Sequence, residues 1–116
     1  MDRPSVGDVE AYFESIGSDT RGVWLRLTRK GVEPASLTAD ELVDVGLCFG
    51  WVSAVRRAGD EATYLQRYAR RCPGSQWSRL DISKVERLTH EGRMRPGGVA
   101  EVEAARADGR WANPWT

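Results

Sequence analysis

The first pattern along the chain is an apolar stripe at helical spacing in residues 8–16. Its members recur at intervals of three and four residues: Val9, Tyr12, Phe13 and Ile16. Residues with this spacing lie on one side of an α-helix, so the stripe predicts an amphipathic helix that packs against a core. Asp8 can accept the free backbone N–H groups at its start, and Gly17 can end it.

A strand and a second helix are predicted next. Residues 22–29 alternate apolar and polar side chains with the period of two that is typical of a strand. Residues 36–49 return to helical spacing. Thr38 and Glu41 form the capping-box pattern, in which the hydroxyl accepts one free backbone N–H and the carboxylate accepts another. Gly50 is predicted to end this helix.

The segment 51–69 has the pattern of a β-hairpin. Residues 51–58 form the first predicted strand, and the return strand lies within 62–70. The pair Gly59-Asp60 between them is a tight-turn signal, because glycine adopts positive φ without a Cβ clash. Alternation divides the return strand between two faces. One face carries Tyr64, Gln66 and Tyr68, and the other carries Leu65 and Arg67.

Two more helices are predicted after the hairpin. Asp81 or Ser83 is expected to start the first of them and Gly92 to end it. Its apolar stripe consists of Ile82, Val85 and Leu88. Pro96 suits the first turn of the second helix, where a backbone N–H is not needed, and Gly109 is expected to end it.

Together these elements predict an α+β domain. Their order is α-β-α-β-β-α-α, with a small antiparallel sheet, made of strand 22–29 and the hairpin 51–69, packed with four helices. The length of 116 residues suits one domain, here residues 1–116. Five tryptophans and a hydrophobic content of 41% favour a folded chain over a disordered one.

Charge is distributed unevenly along a chain whose formal net charge is zero. Residues 1–55 carry five Lys/Arg and nine Asp/Glu, residues 56–95 carry ten and five, and residues 96–116 carry two and three. The basic middle segment influences the choice of partner only if its cations share one face. Two interpretations stay open, namely a basic binding face and an ordinary solvated surface.

Several classes of site lack their sequence signals. The N-terminus has no secretory pattern, and no apolar run is long enough to span a membrane, so we expect a soluble, cytoplasmic protein. Cys48, Cys72 and a single histidine cannot supply the usual four ligands of structural zinc, so neither a metal nor another cofactor is expected. A disulfide between the two cysteines is disfavoured in a reducing compartment. Glycine-rich phosphate-binding patterns are also absent.

Cys48, His90 and two serines are weak candidates for catalysis. A nucleophilic cysteine needs a neighbouring histidine or cation, whereas Cys48 stands among apolar residues and His90 falls on another predicted helix. We therefore expect a buried, inert thiol and a surface histidine. Ser75 and Ser78 have no Ser-His-Asp context and are expected to be turn or capping hydroxyls.

The remaining candidate is a basic and aromatic group on and after the hairpin. Its predicted ligand-binding residues are Trp51, Arg67, Arg71, Ser75, Trp77, Ser78 and Arg79, with Arg56, Arg57, Tyr68 and Arg70 nearby. Arginine pairs with carboxylate or phosphate and tryptophan offers a stacking surface, so the group suits an anionic small molecule, a peptide or single-stranded nucleic acid. This requires the hairpin arginines to reach the same rim as Trp77. Alternatively, Trp51 and Trp77 are core residues that the arginine stems cover.

Three segments resemble the YdeI/OmpD-associated family, also called bacteriocin-protection proteins. They are "LCFGW", "SQWS" and "KVERLTHEGRMRPGGVAEVEAARADGRW". The resemblance extends from about Trp24 to Trp111 and implies a non-enzymatic role in resistance to cationic antimicrobial peptides. Ser53 stands where an Asp is common in that family, and Ala69-Arg70-Arg71 replaces Thr-Pro-Arg. Relatives often continue into a charged helical tail, so the resemblance implies a short form or a truncated chain.

We therefore expect a non-enzymatic binding domain whose partner is an anionic small molecule or a peptide, with the oligomeric state left open. Direct capture of a cationic peptide by the basic group is disfavoured because like charges repel. If the group binds a ligand, Arg71→Ala and Trp77→Ala weaken binding without unfolding the domain. Nucleic-acid binding through residues 56–95 is an alternative that the zero net charge disfavours. A cysteine enzyme using Cys48 is the least favoured alternative.

Overall fold

The computed structural model, which describes residues 1–16 and 21–115, contains four helices and three strands in the predicted order. They are α1 (Val6–Ile16), β1 (Val23–Thr28), α2 (Ala39–Phe49), β2 (Trp51–Ala58), β3 (Thr63–Arg70), α3 (Arg79–His90) and α4 (Pro96–Ala107). The predicted α+β class and its small antiparallel sheet are confirmed. Gly17, the predicted end of α1, lies outside the described residues.

The boundaries of α2 are those that its sequence predicts. The backbone N–H of Glu41 donates to Thr38 Oγ1 over 3.1 Å, and the Glu41 carboxylate accepts the N–H of Thr38 over 2.8 Å. Gly50 follows the helix in the left-handed conformation, with φ of 85°. The short loop at Gly50 then leads directly from the end of α2 into β2.

Two predicted helix starts are wrong by about one turn, since a serine rather than an aspartate caps each helix. Ser5 Oγ accepts the N–H of Asp8 over 3.1 Å, so Asp8 lies within the first turn of α1. The Asp8 carboxylate in return accepts the N–H of Ser5, which holds the pKa of Asp8 below its ordinary value. Ser78 Oγ likewise accepts the N–H of Asp81, so both predicted starts of this helix, Asp81 and Ser83, lie inside α3.

The three strands form one sheet with β3 in the centre, between β1 and β2. Residues 1–3 extend this sheet beyond β1, where Asp2 forms an isolated parallel bridge with Arg26. The pairing of β2 with β3 shifts between Ser53 and Val55, so Ala54 is an extra residue, as in a β-bulge. The bulge changes which face the later side chains of β2 occupy.

The sheet has an inner face toward the helices and an outer face away from them. The register partners of the aliphatic residues of β1 are Tyr64, Gln66 and Tyr68. These three residues therefore share one face of the sheet, as predicted. Phe13 of α1 stacks on Trp51 with ring centroids 4.6 Å apart, so this inner face carries the core. Helix α2 packs against β2 and also contacts the other three helices.

The conformation predicted for Gly59 in the hairpin loop is wrong. Gly59 is not among the residues with positive φ. Its close approach to β3 is what excludes a side chain, because a Cβ there would lie 2.6 Å from the carbonyl oxygen of Thr63. Asp60 holds the loop by accepting hydrogen bonds from the N–H groups of Ala62 and Thr63 and from the Thr63 hydroxyl.

Candidate functional site

The predicted common rim of hairpin arginines and Trp77 is not present. Trp51 and Trp77 are both about 2% exposed and belong to the core. Arg67 lies on the outer face of the sheet, where its guanidinium covers Gly22. Arg79 is exposed at the start of α3. The structure therefore distributes the predicted residues between the core, the opposite sheet face and the surface.

Arg71 and Trp77 form a buried stack. The guanidinium carbon of Arg71 lies 3.8 Å from the ring centroid of Trp77, and Nη2 donates to the carbonyl oxygen of Gln76 over 2.8 Å. Arg71 is only 7% exposed, and burial lowers the pKa of its guanidinium from its ordinary value. These contacts connect the end of β3 to the loop before α3. The interpretation in which arginine stems cover core tryptophans describes this pair.

The two serines of the predicted group stabilise local structure. Ser75 Oγ donates to the carbonyl oxygen of Cys72 over 2.8 Å, which closes the turn at Pro73-Gly74. Ser78 caps α3. Their predicted roles as turn and capping hydroxyls are confirmed.

Cys48 has the environment of an inert thiol. Its side chain is about 2% exposed, and burial raises its pKa to about 11, so the reactive thiolate is scarce at neutral pH. His90 is exposed at the end of α3, as expected. Among the residues that the structure describes, no three His, Cys, Asp or Glu side chains are grouped as metal ligands. None of the described helices is long and apolar enough to cross a membrane.

A different part of the molecule forms a large cleft. It has a volume of about 810 Å³ and lies between the loop that follows β1 and the far end of the hairpin. Its lining consists of residues 28–33 and 35–40 together with Arg56, Arg57, Ala58 and Tyr64. We refer to it as the strand-end cleft, because β1 ends, β2 ends and β3 begins beside it.

The strand-end cleft has an excess of cations. Its lining includes Arg29, Lys30, Arg56 and Arg57 but only two carboxylates, Glu33 and Asp40. Within the described part of the chain, none of the four cations has a carboxylate within 4.0 Å. Unpaired cations around a concavity produce a positive potential that attracts anions.

The bulge in β2 directs Arg56 into this cleft. Arg56 pairs with Gln66 across the sheet, on the inner face, although simple alternation from Trp51 would put it on the outer face. Its Nε donates to Gln66 Oε1 over 3.0 Å, and Gln66 in turn donates to Ser53 Oγ over 2.6 Å. The Arg56 guanidinium lies 4.6 Å from the ring centroid of Tyr64. Buried Gln66 thus orients an exposed cation.

The sequence interpretation found only half of these cations. Arg56 and Arg57 belong to the predicted basic and aromatic group, whereas Arg29 and Lys30 do not. The signal in the sequence is two pairs of consecutive basic residues, and each pair lies at the end of a strand. Nothing local indicates that the two pairs, 27 positions apart, line one cleft.

Comparison with models of protein families gives a match over most of the chain. Residues 3–101 match the model of a family that is described as a domain of unknown function. The match includes all three strands and the whole lining of the strand-end cleft. No curated protein and no solved structure matches the chain. Function is therefore argued from the chemistry of the site itself.

Proposed function

The chain belongs to this family, the domain of unknown function DUF8412, and we propose that it is a non-enzymatic binding domain for a small anionic molecule. The ligand occupies the strand-end cleft. The observation that carries this proposal is the group of four cations around the cleft that have no carboxylate partner in the described residues. No catalytic step is assigned to the site.

The size and the chemistry of the cleft support this ligand class. A volume of about 810 Å³ falls within the range of roughly 300–1,000 Å³ that is usual for small-molecule sites. Guanidinium groups bind carboxylate and phosphate through paired hydrogen bonds, and Lys30 adds a point charge. Arg29 donates through Nε to the carbonyl oxygen of Asp60, so its guanidinium is connected to the hairpin loop. The terminal carboxylate of a peptide belongs to the same chemical class.

The resemblance to YdeI/OmpD-associated proteins supplies a second, coarser part of the proposal. It implies a role in resistance to cationic antimicrobial peptides. The cations of the strand-end cleft repel such peptides, so we place the contribution to resistance in the binding of an anionic molecule. A cytoplasmic location in a bacterial cell is part of this proposal and is supported by two cysteines that are both free thiols.

A thermal-shift screen tests the proposal. The protein is melted with inorganic phosphate, sugar phosphates, nucleotides, di- and tricarboxylates and short peptides. A ligand of the native state raises its stability by mass action, by about 2.7 kcal/mol at a hundred times its Kd. Arg56→Ala and Lys30→Ala are expected to abolish the shift of the best ligand.

Arg106→Ala is the matched control, because Arg106 is an exposed arginine on α4, outside the cleft. Melting of each variant without ligand shows whether it is folded. The proposal is wrong if no anion raises the melting temperature, or if Arg106→Ala removes the shift as fully as Arg56→Ala does.

A further inference from the structure

The strands of the sheet carry cationic side chains but no carboxylates. Its three strands contain five arginines, namely Arg26, Arg56, Arg57, Arg67 and Arg70, and no Asp or Glu. Three of the five lie on the outer face by register, and Arg56 and Arg70 lie on the inner face. The outer face is thus a separate surface from the strand-end cleft, although Arg57 contributes to both.

The described helices leave the outer face partly open. Helices α1 and α2 pack on the opposite face, against Trp51 and Tyr68, and α3 and α4 contact α2. Large apolar side chains therefore remain accessible on the outer face, with Trp24 36% exposed and Val55 42% exposed. Its other apolar members, which are partly buried, are Val52, Leu65 and Ala69.

Two of the cations on this face are neighbours of one indole, that of Trp24. The guanidinium of Arg57 lies 5.2 Å from the ring centroid of Trp24, and Arg67 is the register partner of Trp24. Neither arginine has a carboxylate within 4.0 Å in the part of the chain that the structure describes. Arg26 contacts Asp2 and Asp60 only at 3.8 and 4.0 Å, with all three side chains substantially exposed.

We propose that the outer face of the sheet binds single-stranded nucleic acid. Arg57 and Arg67 contact phosphates, while an unpaired base stacks on Trp24 and on the guanidinium of Arg57. A flat sheet with aromatic and arginine side chains suits splayed bases, because every base offers a π-face and no groove needs to be entered. The charge is complementary to a polyanion and opposes a second copy of this chain, since an isologous contact would bring the same arginines together.

Fluorescence anisotropy with fluorescein-labelled 12-nucleotide oligo(dT) and oligo(U) tests this proposal. Binding is expected at about 50 mM salt and is expected to weaken as salt rises. Arg67→Ala is expected to reduce the slope of log Kobs against log[salt] by about 0.7, the value for one phosphate contact of a single strand. Trp24→Ala is expected to weaken binding about fivefold or more, and Trp24→Phe less, because a phenyl ring still stacks.

The controls separate this surface from the cleft and from unfolding. Arg67 and Trp24 do not line the strand-end cleft, so their variants should keep any shift by small anions. Arg79 belongs to α3 and not to the sheet, so the Arg79→Ala variant should bind oligonucleotide like the parent protein. Thermal melting identifies any variant that is unfolded. Arg57→Ala, which changes an exposed side chain, then replaces that variant in the oligonucleotide assay alone, because Arg57 also lines the strand-end cleft.

Four outcomes would overturn the proposal. Three of them are the absence of binding of either oligonucleotide at about 50 mM salt, tighter binding of a duplex of equal length, and equal losses of oligonucleotide affinity with Arg79→Ala and Arg67→Ala. The fourth is displacement of the bound oligonucleotide by poly-L-glutamate at the same charge concentration as by oligonucleotide. The last outcome would assign the face to an acidic polypeptide. A loss of oligonucleotide affinity that is confined to Trp24→Ala and Arg67→Ala supports the binding of single-stranded nucleic acid.

Discussion

At the scale of single residues, burial separates two arginine–tryptophan pairs that look alike in sequence. Arg71 stacks on Trp77 inside the molecule, whereas Arg57 stacks on a partly exposed Trp24. The first pair has its neighbours fixed by packing and by the bond to Gln76. The second pair faces solvent and remains accessible to a ligand. The same two residue types therefore stabilise the fold in one place and form a candidate surface in another.

Trp77→Ala is expected to destabilise the domain rather than weaken ligand binding selectively, which reverses the expectation from sequence. Trp77 is almost fully buried and makes an edge contact with Trp111, with centroids 5.3 Å apart. Truncation of a buried tryptophan costs about 3–5 kcal/mol in the free energy of unfolding, a change that urea denaturation of the variant would measure. Trp115→Ala, at a side chain that is 68% exposed, should change it by less than about 0.5 kcal/mol. Equal effects of the two substitutions would contradict the structural role of Trp77.

At the scale of elements, α4 is held against the end of α2 by an approach of backbone to backbone. A Cβ at Gly98 would overlap the carbonyl oxygens of Leu47 and Cys48, so only glycine fits there. The N–H of Arg95 donates to the carbonyl oxygen of Cys48 over 2.9 Å. The carbonyl end of α2 thus meets the amide end of α4, an arrangement that helix dipoles favour.

Gly98→Ala is expected to lower the free energy of unfolding by about 1–3 kcal/mol, because the added methyl group overpacks a contact between two backbones. Gly7→Ala is the matched comparison within α1. Among the described residues outside the helix backbone, a Cβ at Gly7 would approach Ser5 Oγ alone within 4 Å, at 3.8 Å. This substitution should raise the free energy of unfolding by about 0.5–1 kcal/mol, since glycine disfavours a helix. Urea titrations check that the free energy of unfolding falls in the Gly98→Ala variant and rises in the Gly7→Ala variant. A stabilised Gly98→Ala variant would show that α4 can move away from α2.

The hairpin shows how one residue changes the function of an element. Without the bulge at Ala54, strict alternation along β2 would exchange the faces of Arg56 and Arg57. With the bulge, Arg56 joins Gln66 and Tyr64 at the strand-end cleft, and Arg57 joins Trp24 on the outer face. Bulges redirect side chains in this way, and here the two proposed sites depend on it.

At the scale of the whole molecule, charge is separated between the two layers. The strands carry five arginines and no carboxylate, whereas the four helices carry ten Asp/Glu and four Lys/Arg. The formal net charge of zero conceals this separation. Binding of polyanions depends on the local potential of a surface rather than on the total charge, because salt screens distant charges.

Retention on immobilised heparin is therefore expected at about 50 mM salt despite the zero net charge, with elution as salt rises. The double variant Arg57→Ala/Arg67→Ala should elute at lower salt than the parent. Arg79→Ala/Arg106→Ala removes the same charge from two helices and should elute close to the parent. Two results would contradict a separation of charge between the sheet and the helices. One is passage of the parent protein without retention, and the other is an equal decrease in the eluting salt concentration for both double variants.

The sequence by itself determined the order of the elements and the faces of β3. Both depend on periodicity within a few residues, because a helix or strand buries whichever side its apolar residues share. The capping box at Thr38 and the end of α2 at Gly50 were predictable for the same reason, since cap and partner lie within one turn. Ser5 and Ser78 show the limit of this approach, because serine and aspartate at adjacent turns satisfy the same capping pattern.

Only the tertiary structure decided where the two candidate sites lie. The burial of Trp77 requires the segment after α4, where the N–H of Trp115 donates to the carbonyl oxygen of Trp77. The strand-end cleft requires two basic pairs that are distant in the chain, and the bulge that aims Arg56 has no signal in the sequence. Local patterns specify which side of an element is apolar. They do not specify which cations meet across the fold without a carboxylate between them, and that arrangement is what distinguishes a site from a solvated surface.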